Sequence, residues 1–196
     1  MNATHALVEA WCPLERAPGA GCVVPSAAGA RLLRRAGWRG FQAALAEWAG
    51  SQGLAAAALR VVSALPVDPA GDAPAASRLE PQLLGLESAG ERALLCRLRI
   101  PFELAIFHGH FPTVPIVPGA QLTGWAALLA ARHAGWRHGA RAAQVLKFRR
   151  IVQPGHEPLL ALRWDEAATR LEFRYERAGH LHAQGTLLSQ GLLPAP

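Results

Sequence analysis

Two histidines, two glycines and three prolines fall within Phe107-His108-Gly109-His110-Phe111-Pro112-Thr113-Val114-Pro115-Ile116-Val117-Pro118-Gly119. Stiff and permissive residues so interleaved predict a rigid loop that delivers imidazoles to the mouth of a helix opening at Pro118-Gly119. That opening leaves backbone N–H groups and the positive end of the helix dipole facing outward, and a glycine there lets a ligand carbonyl come close. A neutral imidazole beside such a donor can remove a proton α to a thioester, because the amide stabilises the developing enolate oxygen. Spacing alone also allows a second reading, in which His108 and His110 are hydrogen-bonded turn residues.

The elements that must position this loop are legible on both sides. Residues 119–133 read as a helix apolar nearly all round (Ala120, Leu122, Trp125, Ala126, Ala127, Leu128, Leu129, Ala130), which predicts burial. Leu94, Cys96, Leu98 and Ile100 alternate with Arg97 and Arg99, and Leu171, Phe173 and Tyr175 alternate with Arg170, Glu172, Arg174 and Glu176. This is the period of half-buried antiparallel strands. Further runs at 143–152, 158–164 and 181–188, with turns at Asp165 to Thr169 and Arg177 to Gly179, extend them into a meander. The predicted class is α+β, a sheet wrapping one long helix. Upstream, residues 27–36 and 39–49 read as helices ended by Gly37 and Gly50, and residues 58–65 as a strand. Residues 1–21 read as a loose leader, and Ala75 to Gly90 as a connector with a short helix. The expected division is 1–21 leader, 22–85 small α/β subdomain, 86–190 main domain and 191–196 tail.

The chain has 196 residues, 51% of them hydrophobic, enough for a real core, and disorder is excluded on average. Twenty Lys and Arg against fourteen Asp and Glu leave a net charge of +6, with Lys147 the single lysine. Such a surface favours an acidic partner. Arg132, Arg137, Arg141, Lys147, Arg149 and Arg150 lie in a stretch from Glu103 to Glu157 with no intervening acid. They are spread over strands and turns without interleaved exposed aromatics, so nucleic acid is not the expected partner. Cys12, Cys22 and Cys96 lack the spacing of a zinc or redox motif and suit a reducing compartment. No metal site is expected. The N-terminus lacks a basic region followed by an apolar one, and no window nears the ~18 apolar residues of a membrane span, so a cytoplasmic protein without a membrane contact is expected.

Gly109-His110-Phe111-Pro112 followed by Pro115-Ile116-Val117-Pro118-Gly119 resembles the signature of hotdog-fold 3-hydroxyacyl-[acyl carrier protein] dehydratases. With Trp125, Val145-Leu146-Lys147-Phe148 and Val152-Gln153-Pro154-Gly155, the chain is most similar to their ApeI-like branch, associated with aryl polyene pigments. The resemblance spans about residues 90–190. It implies a hotdog fold and a homodimer, or a heterodimer with another hotdog subunit, with sites between protomers. It further implies conversion of a (3R)-3-hydroxyacyl thioester to the trans-2-enoyl thioester in fatty-acid or aryl-polyene-type biosynthesis. The partner would be an acyl carrier protein, whose phosphopantetheine carries the substrate, and no other cofactor is implied. His110 would be the catalytic base and the Gly119 amide the polarising donor. Gly109, Phe111, Pro112, Pro118, Ala120 and Trp125 would line the substrate's path. His108 falls on a variable position and takes no role.

One departure is central. The family places an Asp or Glu fourteen positions after the histidine, and here that position is Gly124. Elimination of the β-hydroxyl needs a group to protonate or position the leaving oxygen, and losing such an acid costs about 10²–10⁴ in rate. A close-packed sheet would also explain a small residue there. A catalytically impaired subunit that binds acyl chains or partners an active dehydratase is therefore the alternative. Thioesterase chemistry, which usually needs a carboxylate, is disfavoured by the same acid-free stretch. In the first half, Val23-Val24-Pro25 and Leu59 to Asp72 resemble the small C-terminal subdomain of acyl-adenylating enzymes. Leu65-Pro66 and Gly71 match its LP-x4-GK motif, but Asp72 replaces the lysine, so no adenylating activity is implied. An unrelated small α/β cap fits the same residues.

Overall fold

A serine ahead of an alanine-rich run is a helix entry, and Ser26 serves as one, its Oγ accepting from the Gly29 N–H at 3.1 Å while donating to the Ala6 carbonyl at 2.6 Å. The computed structural model describes residues 5–65, 79–108, 113–136, 140, 142–165, 167 and 169–189. The chain divides into two compact units: Met1–Leu79 with Pro101–Ile116 and Gln153–Gly155, and Glu80–Ile100 with Val117–Val152 and His156–Pro196.

In the first unit Val8–Pro13 (β1) and Gly21–Pro25 (β2) pair antiparallel, and Leu59–Val61 (β3) runs parallel to β2. Parallel neighbours need a crossover, supplied here by Ala27–Ala44 (α1) and Ala46–Ser51 (α2). Leu33, Phe41, Leu45 and Trp48 from these helices share one core with Val8, Val23, Leu59 and Val61. Gly37, at φ 66°, interrupts helical geometry as expected, but helix resumes beyond it. Gly50 lies inside α2 rather than ending a helix, and the reversal comes at Gly53, φ 72°. Two further expectations change: Val8–Pro13 of the leader is a strand, and the strand read over 58–65 is confined to β3, because Ala56–Ala58 is a 3-10 turn.

The second unit is an antiparallel sheet of Gln82–Ser88 (β4), Ala93–Arg99 (β5), Ala142–Phe148 (β6), Leu159–Trp164 (β7), Arg170–Arg177 (β8) and His180–Leu188 (β9), in the order β4-β5-β7-β8-β9-β6. Cys96, Leu160, Tyr175 and Ala183 line up across β5, β7, β8 and β9, and all four are buried. β4 replaces the expected connector; Leu83 and Leu86 are exposed there because it is an edge strand. Gly119–His133 forms α3, and the buried Tyr175 hydroxyl donates to the Leu122 carbonyl at 2.8 Å, fixing the helix on the sheet. Burial of α3 follows one stripe, Leu122, Trp125, Ala126, Leu129 and Ala130. The all-round burial expected from composition is not found: Ala120, Gly124 and Ala131 are exposed. A long helix on a wide antiparallel sheet is the α+β hotdog arrangement, here with a small N-terminal sheet region.

Candidate functional site

Pro118 has the extended conformation of a helix N-cap, φ −60° and ψ 147°, and its own side chain makes no capping hydrogen bond. The N–H groups of the first turn of α3 lack i−4 partners within the helix, and the dipole adds positive potential at the same place. Gly119 is the first residue of α3. A Cβ on Gly119 would lie 2.6 Å from Phe148 Cζ and 2.7 to 2.8 Å from the ring's ε carbons. The ring of Phe148, itself 48% exposed, thus covers the Cα of Gly119 at the position where the resemblance puts the polarising amide. Phe148 reaches it from β6, and the preceding loop is tied to the same end of the sheet by the Val117 N–H donating to the Val152 carbonyl at 2.8 Å. Further along α3, the Thr123 hydroxyl donates to the Gly119 carbonyl at 2.9 Å, so its proton is committed to the helix.

The expected site residues separate. Gly109, His110, Phe111 and Pro112 lie outside the described residues, as do Arg137, Arg141 and the Pro66 to Asp72 segment. Pro118 and Gly119 form the mouth of α3, Ala120 is exposed beside them, and Trp125 is buried in the core stripe. Gly124 is exposed, and among the described residues a Cβ there meets nothing within 4 Å. Close packing against the sheet is therefore not what selects glycine at this position. The bounding carboxylates are engaged elsewhere: Glu103 Oε2 accepts from the Ser63 N–H at 3.0 Å and the Ser63 hydroxyl at 2.8 Å, and Glu157 pairs with Arg99 at 2.8 Å. Of the expected basic rim, Arg132 is held by Glu80 through two hydrogen bonds of 2.5 and 2.9 Å, while Lys147, Arg149 and Arg150 are exposed. Among the described residues no group of His, Cys, Asp or Glu is arranged to hold a metal, and no helix is long and apolar enough to cross a membrane.

Residues 87–186 match the ApeI-like family, described as the ApeI dehydratase. The chain belongs to the ApeI-like dehydratase family. No curated protein matches it in sequence. Among solved structures, the dehydratase heterocomplex ApeI:P from Xenorhabdus doucetiae matches with 28% identity and a TM-score of 0.52, over 56% of this chain and 96% of that one. An uncharacterized protein from Erwinia carotovora subsp. atroseptica matches with 22% identity and a TM-score of 0.50, over 57% of this chain and 97% of that one, a likeness of fold. The matched span of this ApeI-like chain takes in β5 to β8, α3 and most of β9, and leaves the β1-β2-β3 unit outside.

Two features escaped the sequence reading. Phe148 entered only as part of a resembling tetrapeptide, and its place over Gly119 brings β6 against the start of α3, 29 residues away, which no local spacing encodes. His156 and His182 lie 26 positions apart, yet both are buried and their rings meet edge to face at 6.1 Å.

Proposed function

We propose that this chain dehydrates a (3R)-3-hydroxyacyl thioester carried on the phosphopantetheine of an acyl carrier protein, in the cytoplasm, within fatty-acid or aryl-polyene-type synthesis. The observation that carries the proposal is the N-terminus of α3, opening at Gly119 after an extended Pro118, inside the span matched by a dehydratase family. The Gly119 amide holds the thioester oxygen as His110 removes the Cα proton, and the enolate then expels the β-hydroxyl as water once that oxygen is protonated. Gly109, Phe111, Pro112, Pro118, Ala120 and Trp125 border the acyl path. The exposed Lys147, Arg149 and Arg150 attract an acidic carrier, and neither nucleic acid nor a membrane is a partner in this reading. Residues 22–85 act as a structural or docking remnant.

A second reading is favoured by Gly124, where among the described residues nothing lies within 4 Å of a Cβ built on it. In it the chain is the acid-deficient member of a hotdog pair; the ApeI:P neighbour is a heterocomplex. Hydration of a carrier-linked enoyl thioester by the purified protein separates the two. Turnover by the chain alone supports the first reading. No turnover, with stimulation of a second hotdog dehydratase on mixing, supports the second. Neither turnover nor stimulation overturns both.

A further inference from the structure

The second unit has a basic cavity of whose lining only Arg150 has been given a part above. It measures about 330 Å³ and is lined by Arg150, Ile151, Arg177, Ala178, His180 and His182. Two arginines and two histidines are among its lining residues, and no Asp or Glu is. Local geometry brings them together. Ala178 and Gly179, at φ 49° and 73°, make the tight turn between β8 and β9 that sets Arg177 opposite His180. The Arg149 and Arg150 N–H groups donate to the His182 carbonyl at 2.8 and 3.2 Å, which fastens the chain after β6 to the same strand. His182 is buried, and its Nδ1 donates to the Ile151 carbonyl at 3.0 Å, leaving Nε2 as the nitrogen that gains or loses a proton. Burial holds the His182 pKa below its ordinary value, and nearby Arg177, Arg150 and His180 lower it further, against the Ile151 bond that raises it. Like charges gathered around a small cavity are stabilised by a multivalent anion, and guanidinium forks suit phosphate oxygens.

Bonded neighbours link the cavity lining to the segment ahead of α3: Ile151, whose carbonyl accepts from His182, precedes Val152, whose carbonyl accepts from the Val117 N–H. Phe148, whose ring covers Gly119, pairs with Ala183, the residue after His182. We propose that this cavity is a phosphate subsite and that it takes the phosphate of the phosphopantetheine arm bearing the thioester, an assignment that rests on the carrier-linked reading above. Arg150 and Arg177 grip the phosphate oxygens, and Nε2 of His182 becomes a third donor on protonation.

Titration of the full chain with 4′-phosphopantetheine, pantetheine and inorganic phosphate, read by calorimetry and by the histidine ring resonances, tests this. The phosphorylated arm is expected to bind at least about tenfold more tightly than pantetheine, the effect of a single charge-assisted hydrogen bond. Arg150→Ala and Arg177→Ala are each expected to remove most of that difference with the circular dichroism spectrum unchanged, and Arg177→Lys to retain part of it. The His182 resonances are expected to titrate at higher pH with the phosphorylated arm bound. Equal binding of the two pantetheines, or unchanged binding by both arginine variants, overturns the proposal. Inorganic phosphate binding as tightly as the phosphorylated arm overturns the assigned source, because the site would then take free phosphate. Binding needs no turnover, so an inactive enzyme with a working subsite is distinguishable from an absent subsite.

Discussion

At the scale of residues, the account turns on how close Gly119 lies to its covering ring. A methyl group at 119 would press on Phe148 at 2.6 Å, and the half-exposed ring must swing away. Gly119→Ala is therefore expected to leave the fold intact while lowering kcat/KM on the order of 10–100-fold, the effect of misplacing a substrate by about an ångström. Adding Phe148→Leu should recover part of that loss, which steady-state kinetics on the double variant checks. His182 makes a separate prediction. Its folded-state pKa is below the ordinary 6.5, with burial as the main cause, so the unfolded chain takes up the proton first as pH falls. Its contribution to stability is fully present above about pH 6.5 and is lost as pH falls through the lower folded value. Urea unfolding between pH 7.5 and 5 should show this slope, and His182→Gln should reduce it. The helix entry at Pro118-Gly119 was legible because proline and glycine declare themselves in a short window. Phe148 over Gly119 and the His156–His182 contact were not, because each joins residues far apart in the chain.

At the scale of elements, α3 opens at the proposed site and Tyr175 holds α3. The Tyr175 hydroxyl is fully buried with the Leu122 carbonyl as its partner. Tyr175→Phe should cost about 1 kcal/mol, a fall in Tm of about 2–4 °C for a chain of this size, measured by differential scanning calorimetry. The helix was legible in the sequence by its length and apolarity, but its burial was overestimated: alanine and glycine at 120, 124 and 131 count as apolar while leaving a face that nothing described covers. Strands β5, β7 and β8 followed their alternation closely, since each has one buried face, whereas β9 is buried on both faces from Gly185 to Leu188. β4 broke the rule for a physical reason, because an edge strand with Gly85 at a register shift has no strict need to alternate.

At the scale of the whole molecule, the opposite edge of the sheet bears on assembly. β6 is an edge strand, and Val145, Leu146, Phe148 and the nearby Ile151 are 63%, 41%, 48% and 52% exposed. Exposed apolar side chains on an unpaired edge invite a second sheet, consistent with the proposed hotdog dimer. Val145 also has φ 52°, a conformation that a β-branched residue adopts at a cost and that aspartate tolerates better. Val145→Asp is therefore expected to unfold at a denaturant concentration no lower than the parent while sedimentation velocity shows weakened self-association. The N-terminal unit was legible as α/β through its helix signals and glycine breaks, whereas β1 was not, since Pro13, Pro18 and Gly19 mask a strand of only six residues.

The central claim is that His110 and the Gly119 amide form a working half-site whether or not an acid replaces Gly124. Removal of the Cα proton needs the base and the oxyanion donor but not the leaving-group acid, so exchange of that proton with solvent isolates the half-site. A carrier-linked 3-hydroxyacyl thioester incubated in D₂O with the parent protein, His110→Ala and Gly124→Asp would be followed by mass spectrometry. Deuterium incorporation at Cα by the parent and by Gly124→Asp, lost in His110→Ala, is the predicted result. No incorporation by the parent, or incorporation undiminished in His110→Ala, would contradict it.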